Sequence, residues 1–262
     1  MAEGETTGPL LLERNGAVLL IGLNRVAKRN ALNDETIAAL DDCFSSLPSD
    51  VRSIVLHGLG PHFSAGLDLG DIAERDVHEG VLHSRSWHSC FEKIEFGPVP
   101  VVAALQGAVV GGGLELAAAA HVRVAEKSAF YALPEGQRGI FVGGGGSVRV
   151  PRLIGVARMA DMMLTGRTYG AAEGVGIGFS QYLVEEGEGL PKALALARTM
   201  VGNAELTNFA VIQALPRIAD ADPRIGYLME SLMASIASGS TEAKSRVRAF
   251  LDKRAGKVSH KD

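Results

Sequence analysis

Two glutamates in apolar surroundings, Glu115 and Glu135, and the triplet Gly111-Gly112-Gly113 are the residues best placed to do chemistry. The triplet stands where a helix is expected to begin. Amide N–H groups there lack partners inside the helix, and the helix dipole favours negative charge. Amides so placed stabilise a developing oxyanion, an effect of about 2.7–4 kcal/mol per donor. Glu115 follows within the first turn, among leucines and alanines, where an unpaired charge is costly. It is therefore paired, protonated or catalytic. Glu135 sits behind Pro134 in a second apolar setting. Two such carboxylates form an acid and base pair suited to moving protons at carbons next to an activated carbonyl. On these residues alone, structural salt bridges are an equal alternative.

Three other segments invite a functional reading. Asn24 to Asn33 is a basic loop after a strand, and His62 to Leu69 contains the bend Ala65-Gly66. The run Gly143-Gly144-Gly145-Gly146-Ser147 is rich in glycine but lacks the Gly-Lys-Ser/Thr ending of a phosphate loop, and no GxGxxG pattern follows a strand. Nucleotide-phosphate binding of those two types is set aside. None of the seven histidines stands at metal-ligand spacing with another ligand. His83 and His88, with Trp87 between them, fall in an expected helix that flanks the pocket. Ser64 and Ser147 have no histidine partner readable from sequence, and Met159, Met162 and Met163 read as core.

These residues must be positioned by the elements around them. Ala17–Leu23, Val51–Leu56 and Val101–Leu105 read as apolar strands, the first after the turn signal Asn15-Gly16. Asn33-Asp34-Glu35 opens a helix with apolar residues at Ile37, Leu40 and Phe44. Strands separated by helices imply an α/β core of crossover units. Val99 to Ala120 is long enough to span a bilayer. Yet its glycine triplet and Glu115 favour a buried strand, a glycine turn and a buried helix. Four helices without strand signal are expected beyond residue 189, over Leu190–Val201, Leu206–Ile218, Ile225–Ile236 and Thr241–Arg254. The expected organisation is a loose tail over 1–9, an α/β core over 10–188 and a helical region over 189–262.

Composition narrows the function classes. With 47% hydrophobic and 21% charged residues, the chain has globular and not disordered character. A net charge of −4 argues against nucleic acid as a partner, since phosphate binding wants a basic face. Two cysteines without a CxxC pair argue against a disulfide framework or zinc site and make a cytoplasmic location the expectation.

The blocks FSAGLDL, GAVVGGGLELA and LPEGQRGIFVGGGGSVRVPRLIG together resemble the hallmark segments of the enoyl-CoA hydratase/isomerase (crotonase) superfamily. RNALN, LTGRTYGAAEGVGIG and AFLDKR extend the resemblance over nearly the whole chain. It implies a crotonase-like α/β fold, a spiral of ββα units, with a C-terminal helical region that builds trimers or hexamers. It implies an acyl-CoA thioester as substrate, with CoA part of that substrate and no separate cofactor, metal or membrane. The backbone amides of Leu67 and Gly112 match the family's oxyanion hole. Glu115 and Glu135 match the two hydratase glutamates, and Gly143 matches a glycine that helps place the water. Lys28, Asn30, Ala31, Leu32, Ala65, Asp68 and Leu69 would line the CoA pocket, with Phe250 and Lys253 closing over CoA from the last helix. Keeping both glutamates favours hydration over double-bond isomerisation, which needs one. An acyl-CoA-binding protein without turnover is the non-enzymatic alternative. Val142 stands where the family's usual proline precedes Gly143, and Gly136-Gln137-Arg138 replaces apolar residues, with Arg138 expected at the surface.

Overall fold

A computed structural model describes residues 4–71 and 75–252. The chain opens with strands β1 (Glu5–Thr7), β2 (Leu10–Asn15) and β3 (Val18–Leu23), followed by helix α1 (Asp34–Ser45) and β4 (Ser53–Gly58). Next come α2 (Val77–Glu95), β5 (Val101–Leu105), β6 (Ala108–Val110), α3 (Gly112–Ala119), β7 (Val122–Glu126) and β8 (Phe130–Ala132). The first unit continues with α4 (Gly146–Ile154), α5 (Val156–Thr165), β9 (Tyr169–Gly170), α6 (Ala171–Gly176), β10 (Tyr182–Val184) and α7 (Gly189–Val201).

A seven-stranded sheet runs in the order β1-β2-β3-β4-β5-β7-β10, and a small sheet in the order β6-β8-β9. From β3 to β10 the large sheet is parallel, with helices in the crossovers. All residues of β3, β4 and β5 are buried, which is why they read as unbroken apolar runs and not as alternating ones. Alternate side chains nonetheless go to two cores. Val18 and Leu20 join Val55, Val102 and Ala104 under Ala193 and Ala197 of α7. Leu19, Ile21 and Leu23 join Ile37, Leu40, Phe91 and Leu116 on the opposite face. The expected cap of α1 is present, with Asn33 Oδ1 accepting from Thr36 N.

Several boundaries differ from the sequence reading. Residues 5–7, expected within a loose tail, pair antiparallel with β2 as an added edge strand. The apolar stretch from Val99 to Ala120 divides into β5, β6 and α3, and no described helix is long and apolar enough to cross a membrane. The chain separates into compact units Met1–Val201 and Gly202–Asp262, so the division falls after α7 and not at residue 189. The reason is that α7 carries small buried alanines that lie directly on β4, β5 and β7. The second unit contains α8 (Glu205–Phe209), α9 (Leu215–Asp220), α10 (Pro223–Gly239) and α11 (Thr241–Leu251). A π turn over Ala210–Ala214 divides the single helix expected over 206–218. Pro216 has no N–H to donate to the preceding turn, and the turn widens there.

Candidate active site

The site is made by two strands that leave the small sheet at one end. β6 and β8 pair in parallel, Val110 opposite Ala132. The residues that follow each strand therefore emerge side by side. After β6 comes Gly111, with φ of 52°, and then α3 carrying Glu115. After β8 comes the 3-10 turn Pro134–Arg138 carrying Glu135. Gly111 N donates to Ala132 O at 2.9 Å and ties the two exits together. A Cβ on Gly111 would stand 2.8 Å from Glu135 Oε1, so glycine is what lets the second carboxylate reach this place.

A third segment lies beside them. Ser64 N donates to Ala108 O and Val110 N to Ser64 O, which lays residues 64–67 along β6. On its other side this segment bridges Leu32, using the Gly66 carbonyl and the Asp68 N–H but not the N–H of Leu67. Gly66 has φ of 88°, and its Cβ would fall 2.5 Å from Val110 O and 3.1 Å from Gly112 N. The backbone of Leu67 is thereby brought against the start of α3, with Leu67 N only 3.5 Å from a Cβ placed on Gly112. Gly112 is the first residue of α3, so its N–H has no partner within the helix.

Both carboxylates are buried, Glu115 at 3% and Glu135 at 7% exposure, and both line a cavity of about 470 Å³ with Leu67, Gly112 and Gly143. Glu115 Oε1 accepts from Gly144 N at 2.8 Å and from Gly146 N at 2.7 Å. Burial pushes its carboxyl above the usual range, and those amides offset part of the shift. Glu135 Oε2 is buried without a hydrogen bond among the described residues. Burial, and then the charge of Glu115, push the Glu135 carboxyl up as well. Like charges buried at one cavity cannot both ionise cheaply, so the arrangement favours one proton shared between two carboxyls.

The remaining expected residues fall in three places. Asn30, Ala31, Leu32 and Asp68 are buried, and Ala65 is half-buried. Asn30 Nδ2 donates to the carbonyls of Leu59 and His62, and Arg25 holds both the Ala31 carbonyl and Asp68, the latter at 2.9 Å. That guanidinium keeps the Asp68 carboxyl below its ordinary range. Lys28 and Leu69 are exposed, with Lys28 Nζ 3.8 Å from a Cβ placed on Gly70. Phe250 is exposed on α11 of the second unit, and Lys253 lies outside the described residues. Gln137 and Arg138 are exposed, in keeping with a surface position for the arginine.

Some supports were not singled out from sequence. Arg149 donates to Glu95 at 2.6 Å and to the Gly144 carbonyl at 3.1 Å, fixing the loop whose amides hold Glu115. Ser84 Oγ donates to Gly143 O at 2.7 Å. Of the histidine pair on α2, His83 lines the cavity and His88 is not among its lining residues. His83 Nε2 lies 3.2 Å from Trp87 Nε1 and 3.0 Å from Asp34 Oδ1, so it serves one of them at a time. Arginines and serines that act on a distant backbone carbonyl leave no local periodic signal.

The chain has named relatives. Residues 13–260 match the family model for enoyl-CoA hydratase/isomerase. A short-chain-enoyl-CoA hydratase of Clostridium acetobutylicum is 30% identical over 248 residues, covering 94% of this chain and 95% of that protein. The crystal structure of a Rhodopseudomonas palustris protein, 65% identical, superposes with a TM-score of 0.92 over 94% of this chain and 95% of its own. That of an enoyl-CoA hydratase from Bacillus anthracis, 28% identical, gives 0.88 over 94% and 97%. The α/β core with its C-terminal helices is thus the crotonase fold.

Proposed function

Because the chain belongs to the enoyl-CoA hydratase/isomerase family, we propose that it adds water reversibly across the α,β double bond of an acyl-CoA thioester. The observation that carries the reading is the pair of buried carboxylates facing one cavity beside the Leu67 and Gly112 amides. The thioester carbonyl oxygen binds between those two N–H groups, which stabilise the enolate formed when water attacks Cβ. Glu115, whose Oε1 is held by two amides, is the member of the pair better suited to stay ionised and take a proton from the water. Glu135 lacks such support on Oε2 and is the better proton donor to Cα. One proton leaves the water and one arrives at Cα, so the pair returns to its starting charge after a proton exchange.

Proton transfer and enolate stabilisation are supplied by side chains and backbone, so the reaction calls for no resident cofactor. The buried loops around Asn30 to Leu32 and Ala65 to Asp68, with Lys28 at their surface, are assigned to the CoA moiety, and Gly143 to placing the water. Acyl-CoA turnover of this kind belongs to fatty acid metabolism. Hydration of crotonyl-CoA, followed by loss of the conjugated thioester absorbance, tests the reading. Glu115→Gln and Glu135→Gln should each reduce the rate by roughly 10²-fold or more. Double-bond migration without hydration would transfer the assignment to an isomerase. Tight thioester binding with rates unaffected by either substitution would make the protein a binder.

A further inference from the structure

The cavity that holds the two glutamates continues past them along α2. Trp87 Cζ3 lies 2.7 Å from where a Gly112 Cβ would stand, so the indole rests on the glycine assigned to the oxyanion hole. His83 and Gly80 line the same cavity one and two turns earlier on the helix. At 1.5 Å per residue that wall is roughly 10 Å long. Ile140, Phe141 and Val142 line the cavity too, so much of its wall apart from the glutamates is apolar.

One charged group interrupts this apolar lining. Among the described residues, Arg75 is the only lysine or arginine that lines the cavity. Its Nη2 donates to Asp34 Oδ2 at 2.8 Å, and Asp34 Oδ1 lies 3.0 Å from His83 Nε2. The two oxygens of one carboxylate therefore place the guanidinium beside the imidazole, a single helical turn from Trp87. The arginine side chain is 22% exposed, whereas Asp34 is 68% exposed. Asp34 thus orients the guanidinium from the solvent side, and this contact engages one nitrogen of a group with five N–H donors. A purely hydrocarbon tail would press against this cation without satisfying it, which is costly. A carboxylate would meet it in a planar, paired geometry. It would also need such a cation, because the same cavity holds two carboxyls of its own.

We propose that Arg75 reads a carboxylate at the end of a short acyl chain, so that the substrate is the enoyl-CoA thioester of a dicarboxylic acid. The inference rests on the hydratase reading above. The bland counterpart is a surface ion pair with Asp34 that only holds the start of α2, and such pairs contribute little.

The test compares hydration of glutaconyl-CoA, which ends in a carboxylate, with trans-2-hexenoyl-CoA, a neutral thioester of similar length. Wild type should favour glutaconyl-CoA in kcat/KM. Arg75→Met should lower the ratio of the two kcat/KM values roughly 10- to 150-fold, the scale of a hydrogen bond to a charged group. Arg75→Lys, which keeps the charge but loses the fork, should recover part of the ratio. Equal losses on both thioesters, or a wild type that favours hexenoyl-CoA, would overturn the carboxylate assignment while leaving the hydratase intact. Hydration of crotonyl-CoA but of neither longer thioester would overturn this inference alone, and hydration of none of the three would sink the hydratase reading with it.

Discussion

Glu115 and Glu135 differ in what their oxygens touch, and that difference makes stability and activity pull in opposite directions. Both carboxyls titrate above the ordinary range because burial penalises the charged form. For such a group the folded state binds a proton more tightly than the unfolded state. Stability is then present below the unfolded value and is lost as pH rises through the folded one. Glu135 has less to offset that penalty, with one carboxyl oxygen buried and unbonded. Glu135→Gln should therefore stabilise the fold at pH 8 by on the order of 1 kcal/mol, the lower range for an unsatisfied buried polar group, and raise the midpoint of thermal unfolding accordingly. The gain should shrink toward pH 4, where the native carboxyl is protonated anyway. Melting curves at the two pH values decide it, and a destabilised variant at pH 8 would show that the carboxylate is held by a favourable partner. The hydration rate should likewise show a bell-shaped pH profile. Its acid limb belongs to protonation of the base and its alkaline limb to loss of the shared proton, both apparent values lying above the ordinary carboxylate range.

At the scale of elements, the site depends on how strands and loops are laid together, and here the sequence speaks unevenly. The three central strands and the Asn33 cap are legible because burial on both faces and a side-chain cap leave local marks. The pairing of β6 with β8 leaves none. Each has three residues, and the register that brings Glu115 beside Glu135 is a non-local fact. The edge strand at residues 5–7 and the seat of α7 on the sheet are hidden for the same reason, since a helical pattern does not say what it packs on. The glycines are legible as a cluster, but their separate jobs emerge only in space. Gly66 shows this most clearly, because it combines a positive φ with a carbonyl oxygen 2.5 Å from its would-be Cβ. Gly66→Ala should cost about 1–3 kcal/mol of stability, the range for strained backbone. It should also displace the Leu67 N–H and lower kcat more than it raises KM. A variant with normal stability and kinetics would detach Leu67 from the oxyanion role.

The whole molecule poses a question that neither site nor sheet answers, namely what its second unit is for. Ile225, Leu228, Leu232 and Ile236 recur every three or four residues along α10, and all four are exposed in the single chain. An amphipathic helix ordinarily turns such a stripe to a core, and an exposed stripe marks an interaction surface. Each of these side chains gives about 1.5–3 kcal/mol when fully buried, so covering the stripe would offset much of the entropy lost on association. The family resemblance implies a homotrimer or a pair of trimers, and we propose that other copies of the chain cover this stripe. Light scattering should give a mass three or six times that of the single chain. Replacing Leu228 and Leu232 with glutamate should move the population toward smaller species, since burying two charges in an apolar contact is costly. A wild-type monomer at micromolar concentration would contradict assembly through this face. An unchanged mass in the double variant would move the interface elsewhere on the molecule.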